Sequence, residues 1–342
     1  MIRRRARLVP LALTAVALAG TLSACGAKKD VTTTSSAATK RLDLVLDYLP
    51  NADHAPIYAA QAIGAFKAAG LDVRIQTPSD PATPLKLVES GRADLAISYE
   101  PELLLARDKG AHVAGVGALI QKPLTSIMSL NKHFTSVKDL KNATVGTAGI
   151  PYQTAYLRTI ADSNGFSPST IHEVNVGFNL VPSMLSKKVD ATLGAFWNIE
   201  GVQLQRRHKD PTIIKMDEAG IPTYQELVFV ANNEKLQEKG VGAVMRRFLQ
   251  AVSRGASAVK ADPAVGADAL VKADPDLDRA TVLAQIKATL PVFFPESSAF
   301  PWGYMNADEW AAYGQWMLKN KLVKTLPTAT SITNEFLPGR GI

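Results

Sequence analysis

A single cysteine, Cys25, in 342 residues excludes an internal disulfide framework and any cysteine-built zinc or iron–sulfur site. No stretch reaches ~18 consecutive apolar residues, so a long membrane-spanning helix is not expected. Catalytic signatures are missing too. There is no Gly-rich phosphate loop ending in Lys-Ser/Thr, no dinucleotide fingerprint, no Gly-x-Ser-x-Gly elbow and no His-Glu-x-x-His. The histidines (His54, His112, His133, His172, His208) show no metal-ligand spacing, and no metal or other cofactor is expected. Acidic residues are absent from positions 1–24, where Arg3, Arg4, Arg5 and Arg7 lie. Without those arginines the formal charge of +7 falls to +3, too small an excess for a nucleic-acid partner. What is present, 46% hydrophobic residues over this length, supports about two globular domains.

The N-terminus reads as an export signal. The basic start precedes an apolar run, Leu8 to Gly20, of about 13 residues, short of the ~20 that span a bilayer. Leu22-Ser23-Ala24-Cys25 then resembles the bacterial lipobox, in which the cysteine becomes the lipid-bearing N-terminus. The expected order is a signal at 1–24, lipid on Cys25, and a Lys/Ser/Thr/Ala-rich tether at 25–40 with too little apolar surface to fold. Such a chain works outside the cytoplasm, held at the cell membrane.

From Leu42 onward short β-type runs alternate with helical patterns. Strands are expected at 42–46, 71–75, 94–98, 112–120, 143–147, 171–176, 190–196 and 227–231. Helices are expected at 55–69, from Pro84 to Gly91, at 101–109, 152–164 and 181–188, and then in a largely helical tail. This rhythm implies an α/β fold of two lobes, each a mainly parallel sheet flanked by helices, with a ligand cleft between them. The second unit, 131–231, reads as inserted between the first, 41–130, and the helical tail, 232–342.

In open α/β sheets ligands bind at the carboxyl ends of strands. Three polar, aromatic segments fall at such ends: Asp47-Tyr48-Leu49-Pro50-Asn51 with His54; Ser98-Tyr99-Glu100; and Trp197-Asn198-Ile199-Glu200. Tyr152, at the head of its helix, joins the candidates. Rings supply stacking area, while carboxylate and amide edges orient and select a planar ligand. Each residue alone also has an ordinary structural role, as a wall aromatic, a helix cap or a dipole partner. Their coincidence at three strand ends is what points to binding.

The first segment, with Tyr58, Gly64-Ala65-Phe66 and Gly70-Leu71-Asp72-Val73, resembles the opening of thiamine-precursor-binding proteins. Those are solute-binding components of ABC importers, in a larger family that also binds riboflavin, nitrate and alkanesulfonates. The run from Ser90 to Tyr99, Gln121 to Ser126, and Gly194 to Gly201 extend the resemblance. It implies a two-lobed periplasmic-binding fold of type II, an ABC permease as partner, a small heteroaromatic ligand and a monomer. It further implies that Tyr48 and Trp197 stack on a pyrimidine, that Asn51 and Asn198 contact it, and that Glu200 pairs with its aminopyrimidine edge. Pyrimidine binders often carry Trp where this chain has Tyr48, so riboflavin or another heteroaromatic or sulfonate stays open as the ligand. An enzymatic branch, the fungal pyrimidine synthases, uses iron and a cysteine-rich motif that a chain with one cysteine does not have.

Overall fold

Strands buried at every position are covered on both faces of their sheet. The computed structural model, which describes residues 39–294, 297, 299–326 and 329–339, shows this for several of its strands. The expected signal, Cys25 and the tether up to residue 38 lie outside the described residues. The strands are β1 (Lys40–Val45), β2 (Leu71–Gln76), β3 (Leu95–Ser98), β4 (Val113–Ile120), β5 (Thr125–Ser129), β6 (Thr144–Thr147), β7 (His172–Asn175), β8 (Ala191–Phe196), β9 (Thr212–Lys215) and β10 (Leu227–Asn232). All side chains of β3, β4, β5 and β10 are buried, as their unbroken apolar or small-residue runs require.

Two sheets form, ordered β2-β1-β3-β10-β4 and β7-β6-β8-β5-β9. In each, four strands share one direction and one, β10 or β5, opposes them. Those opposed strands arrive from the other sheet: β4 leads into β5, and β9 leads back into β10. The crossings therefore fall at 121–124 and 216–226. Sequence reading set the inserted half at 131–231; strand pairing places both limits earlier, because β5 pairs with β8 and β9 while β10 lies between β3 and β4.

Strands β5 and β9 are absent from the sequence reading. The β5 segment, Thr-Ser-Ile-Met-Ser, is hydroxyl-rich yet buried, because Ser126 Oγ donates to Ala195 O at 2.7 Å and Ser129 Oγ to Asp190 O at 2.6 Å. The single helix expected at 55–69 is split into Ala55–Ala62 and Ala65–Ala68 by Gly64, whose φ of 73° breaks the helical path.

The tail returns to the first half. The Val241–Ala261 helix buries Met245, Phe248, Leu249, Val252, Ala256 and Val259 on one face, at spacings of three and four. That face lies on the Ala55–Ala62 helix, and Pro263–Ala273 packs beside it. No helix among the described residues is long and apolar enough to cross a membrane.

Candidate ligand-binding site

The cleft lies where the carboxyl ends of β1, β3, β6 and β8 face one another across the two sheets. Asp47, Tyr48 and Asn51 follow β1, Tyr99 follows β3, Tyr152 and Gln153 follow β6, and Glu200 follows β8. Phe196, Ile150, Ile199 and Leu180 supply its apolar wall. The cavity among these groups is small, about 20 Å³.

On the first half Asp47 is a hub. Its Oδ1 lies 2.8 Å from His54 Nε2, and its Oδ2 accepts the Tyr99 hydroxyl at 2.8 Å. His54 Nδ1 accepts Asn51 N–H at 3.2 Å, so the ring proton sits on Nε2 and points at Asp47. Asn51 in turn caps the short 52–54 turn, its side-chain oxygen accepting Asp53 N–H at 2.8 Å. The loop after β1 is thereby locked from within. Tyr48 is left to reach outward, its ring edge-on to Phe178 of the second half at 4.8 Å. Burial, then the charges of Glu200 and Asp47, push its phenol well above the ordinary range, so it stays a hydrogen-bond donor.

On the second half the chain leaves β8 through one wide π-helical turn, Trp197–Gly201. Half-buried Glu200 folds back so that its Oε2 accepts Phe196 N–H at 2.7 Å. Burial raises its carboxyl to about 7, with the Asp47 charge adding to this and the Phe196 N–H opposing it. Near neutrality such a group can accept as a carboxylate or donate as an acid. Gln153 is fixed by accepting Ala148 N–H at 2.9 Å. Gly194, at φ 121°, leaves room for the amide of Gln153, which a Cβ would strike.

Of the expected contacts, Asp47, Tyr48, Asn51, Tyr99, Tyr152 and Glu200 line this cleft. The rest do not. His54 is wholly buried behind Asp47. Ser98 points into the first half, donating to Glu102 Oε2 at 2.6 Å. Glu100 faces the second crossing, where its Oε2 accepts Gln225 N–H at 2.7 Å. Asn198 is buried against Asp53 and Thr289. Trp197 turns aside: its indole N–H donates to Pro123 O at 3.1 Å, and the Lys215 ammonium sits 4.6 Å from its ring centre. The alternation of a strand ends at its last residue, so the direction of the next few side chains was not set by sequence spacing. Gln153 and Gly194 were not among the candidates; a Gly at a strand end beside aromatics was the one available signal. Among the described residues no group of His, Cys, Asp and Glu is arranged to hold a metal ion.

The comparisons with known proteins agree with this architecture. The chain is 36% identical over 262 residues to a Haemophilus influenzae protein named for thiamine biosynthesis, covering 76% of this chain and 82% of that one. It is 30% identical over 289 residues to the formylaminopyrimidine-binding protein of Halalkalibacterium halodurans, covering 84% and 87%. A 4-amino-5-hydroxymethyl-2-methylpyrimidine phosphate synthase of Legionella pneumophila is 24% identical over 309 residues, covering 89% and 94%. In structure, the alkanesulfonate-binding protein of Xanthomonas axonopodis pv. citri superposes with a TM-score of 0.65 at 15% identity, covering 87% of this chain and 99% of that one. The fold is thus that of periplasmic binding proteins. The model of the NMT1/THI5-like family matches residues 51–265, well over half of the sequence, and the chain belongs to that family.

Proposed function

We propose that this protein is the solute-binding component of an ABC importer that captures a thiamine-precursor pyrimidine, of the hydroxymethylpyrimidine or formylaminopyrimidine type, and hands it to the permease. On this reading lipid on Cys25 moors it at the outer face of the cell membrane, and it performs no covalent chemistry. The observation that carries the reading is Glu200. Its Oε2 is held by Phe196 N–H, and its side chain lines the cleft together with Tyr48 and Tyr99 of the opposite half. An amino group beside a ring nitrogen is the edge that such a carboxyl recognises, and Tyr48, Tyr99 and Phe196 offer ring faces for the pyrimidine. The formylaminopyrimidine-binding relative supports the same ligand class.

Calorimetric titration of the purified protein against hydroxymethylpyrimidine, formylaminopyrimidine, thiamine and riboflavin tests this. Heat with a pyrimidine and none with riboflavin is expected. Silence with both pyrimidines would defeat the ligand assignment. Stoichiometric iron in the purified protein together with pyrimidine formation would favour a synthase instead.

A further inference from the structure

Asp53 and Asn198 meet from opposite halves of the molecule. Asp53 sits in the turn capped by Asn51, and Asn198 in the π-helical turn that presents Glu200. Neither side chain is exposed. Asn198 Nδ2 uses both of its protons, on Asp53 Oδ1 at 2.6 Å and on Thr289 Oγ1 at 2.6 Å. The Thr289 hydroxyl donates onward to Gln285 O at 2.8 Å, so it acts as acceptor toward the amide and fixes which end of Asn198 is nitrogen.

Two atoms are left over. Asp53 Oδ2 and Asn198 Oδ1 are buried, and each lacks a hydrogen-bond partner. If Asp53 were ionised both would be buried acceptors without a donor, each carrying a desolvation cost. One proton on Asp53 Oδ2, shared with Asn198 Oδ1, would satisfy both atoms. The acid O–H then donates to Asn198 Oδ1 while the amide N–H donates to Asp53 Oδ1, the paired ring of a carboxylic acid and a primary amide.

We propose that Asp53 is a protonated acid here, that its double hydrogen bond with Asn198 latches the two halves together, and that opening the latch releases the proton to solvent. The surroundings agree. The charges bearing on Asp53 are those of Asp47, Glu200 and Glu226, all repelling an anion, and with burial as the main cause they hold it well above the usual carboxylate range. His54, its neighbour, directs its ring proton to Asp47. From the elements packed on the 52–54 turn, Tyr58 lies on the following helix. Arg279 and Lys287, on Arg279–Thr289, are exposed, as are Asp268 and Lys272 on Pro263–Ala273 and Arg206 beyond Asn198. The latch joins both walls of the cleft two residues from Asn51 and two from Glu200, so it positions the binding groups without touching a ligand, and its test requires none.

Infrared spectra of the ligand-free protein near neutral pH should show the carbonyl stretch of a hydrogen-bonded carboxylic acid that disappears in Asp53→Asn. That variant keeps both hydrogen bonds as an amide–amide pair, so it should fold, and it should release one proton fewer per molecule on unfolding. In Asn198→Leu the band should persist and move to the higher frequency of an unpaired acid. Identical spectra for wild type and Asp53→Asn would overturn the proposal, as would an unmoved band in Asn198→Leu.

Discussion

Glu226 and Thr125, 101 residues apart, tie the two crossings between the sheets to each other. Glu226 Oε1 accepts the Thr125 hydroxyl at 2.9 Å, and its Oε2 accepts Thr125 N–H at 2.8 Å and Leu124 N–H at 2.6 Å. The Tyr224 hydroxyl adds a further donor at 3.0 Å. Burial raises this carboxyl to about 7, and the converging donors oppose that rise. Any opening of the cleft must bend the chain at these crossings, so one buried side chain sets how they move together.

Glu226→Gln should therefore be costly. An amide at this position can keep its oxygen on the two backbone N–H groups and turn its NH₂ to the Thr125 hydroxyl, but it replaces bonds to a carboxylate with weaker neutral ones, a loss of roughly 1–2 kcal/mol. Urea unfolding is the measurement. A midpoint equal to wild type would mean that apolar packing alone holds the crossings.

Glu100 grips the same region with fewer bonds, and it makes stability depend on pH. Its Oε2 accepts Gln225 N–H, while Oε1 is buried without a partner. Burial first, and the Glu309 charge after the opposing Gln225 N–H, push it up to about 8 from 4.5. The folded chain therefore holds a proton that the unfolded chain gives up. This contribution to stability is fully present below about pH 4.5 and is lost as the pH rises through about 8. Over that window one such proton gives a slope of roughly 1.4 kcal/mol per pH unit. Glu100→Gln should flatten the decline, which unfolding curves across the window would show. An unchanged slope assigns the decline to other carboxyls.

The strand ends were legible in the sequence because apolar runs stop there and strand-end loops carry ligand sites in α/β folds. Asp47, Tyr48 and Glu200, which line the cleft, are singled out in this way. Side-chain direction beyond a strand end was not legible. Glu100 and Ser98 sit beside Tyr99 in sequence, yet only Tyr99 lines the cleft, since a helix opens at Glu100 and turns its carboxyl toward Gln225. Asn198 and Trp197 were misread for a similar reason: the wide turn after β8 carries Glu200 inward and sends its neighbours to Asp53, Thr289 and Pro123. Strand β5 was hidden by its hydroxyls: those of Ser126 and Ser129 find partners in β8 and the residue before it, and that of Thr125 in Glu226.

Gly194→Ala should damage the cleft more than the fold. Its φ of 121° is strained for any L side chain, and the new methyl would run into the Gln153 amide, with Cδ only 3.1 Å away. Gln153 can swing aside only by giving up its bond to Ala148 N–H. The expected stability loss is about 1–3 kcal/mol, with weaker ligand capture in the fraction that folds. Calorimetry alongside thermal unfolding separates the two effects. Wild-type affinity in this variant would show that Gln153 has no part in shaping the site.

Tyr48 and Trp197 should now part company under mutation. Trp197 is spent on Pro123 O and Lys215, so Trp197→Ala should lower the unfolding temperature while leaving pyrimidine affinity within about threefold. Tyr48 stands at the cleft with its ring against Phe178, and its hydroxyl lies 3.5 Å from Gly177 O, too far for a strong bond. Tyr48→Phe should consequently be nearly silent, whereas Tyr48→Ala removes a ring that bridges the halves and should weaken binding by about tenfold, or ~1.4 kcal/mol. Titrating the three variants with the same pyrimidine decides the matter. A large loss for Trp197→Ala with none for Tyr48→Ala would move the stacking face from the first half to the second.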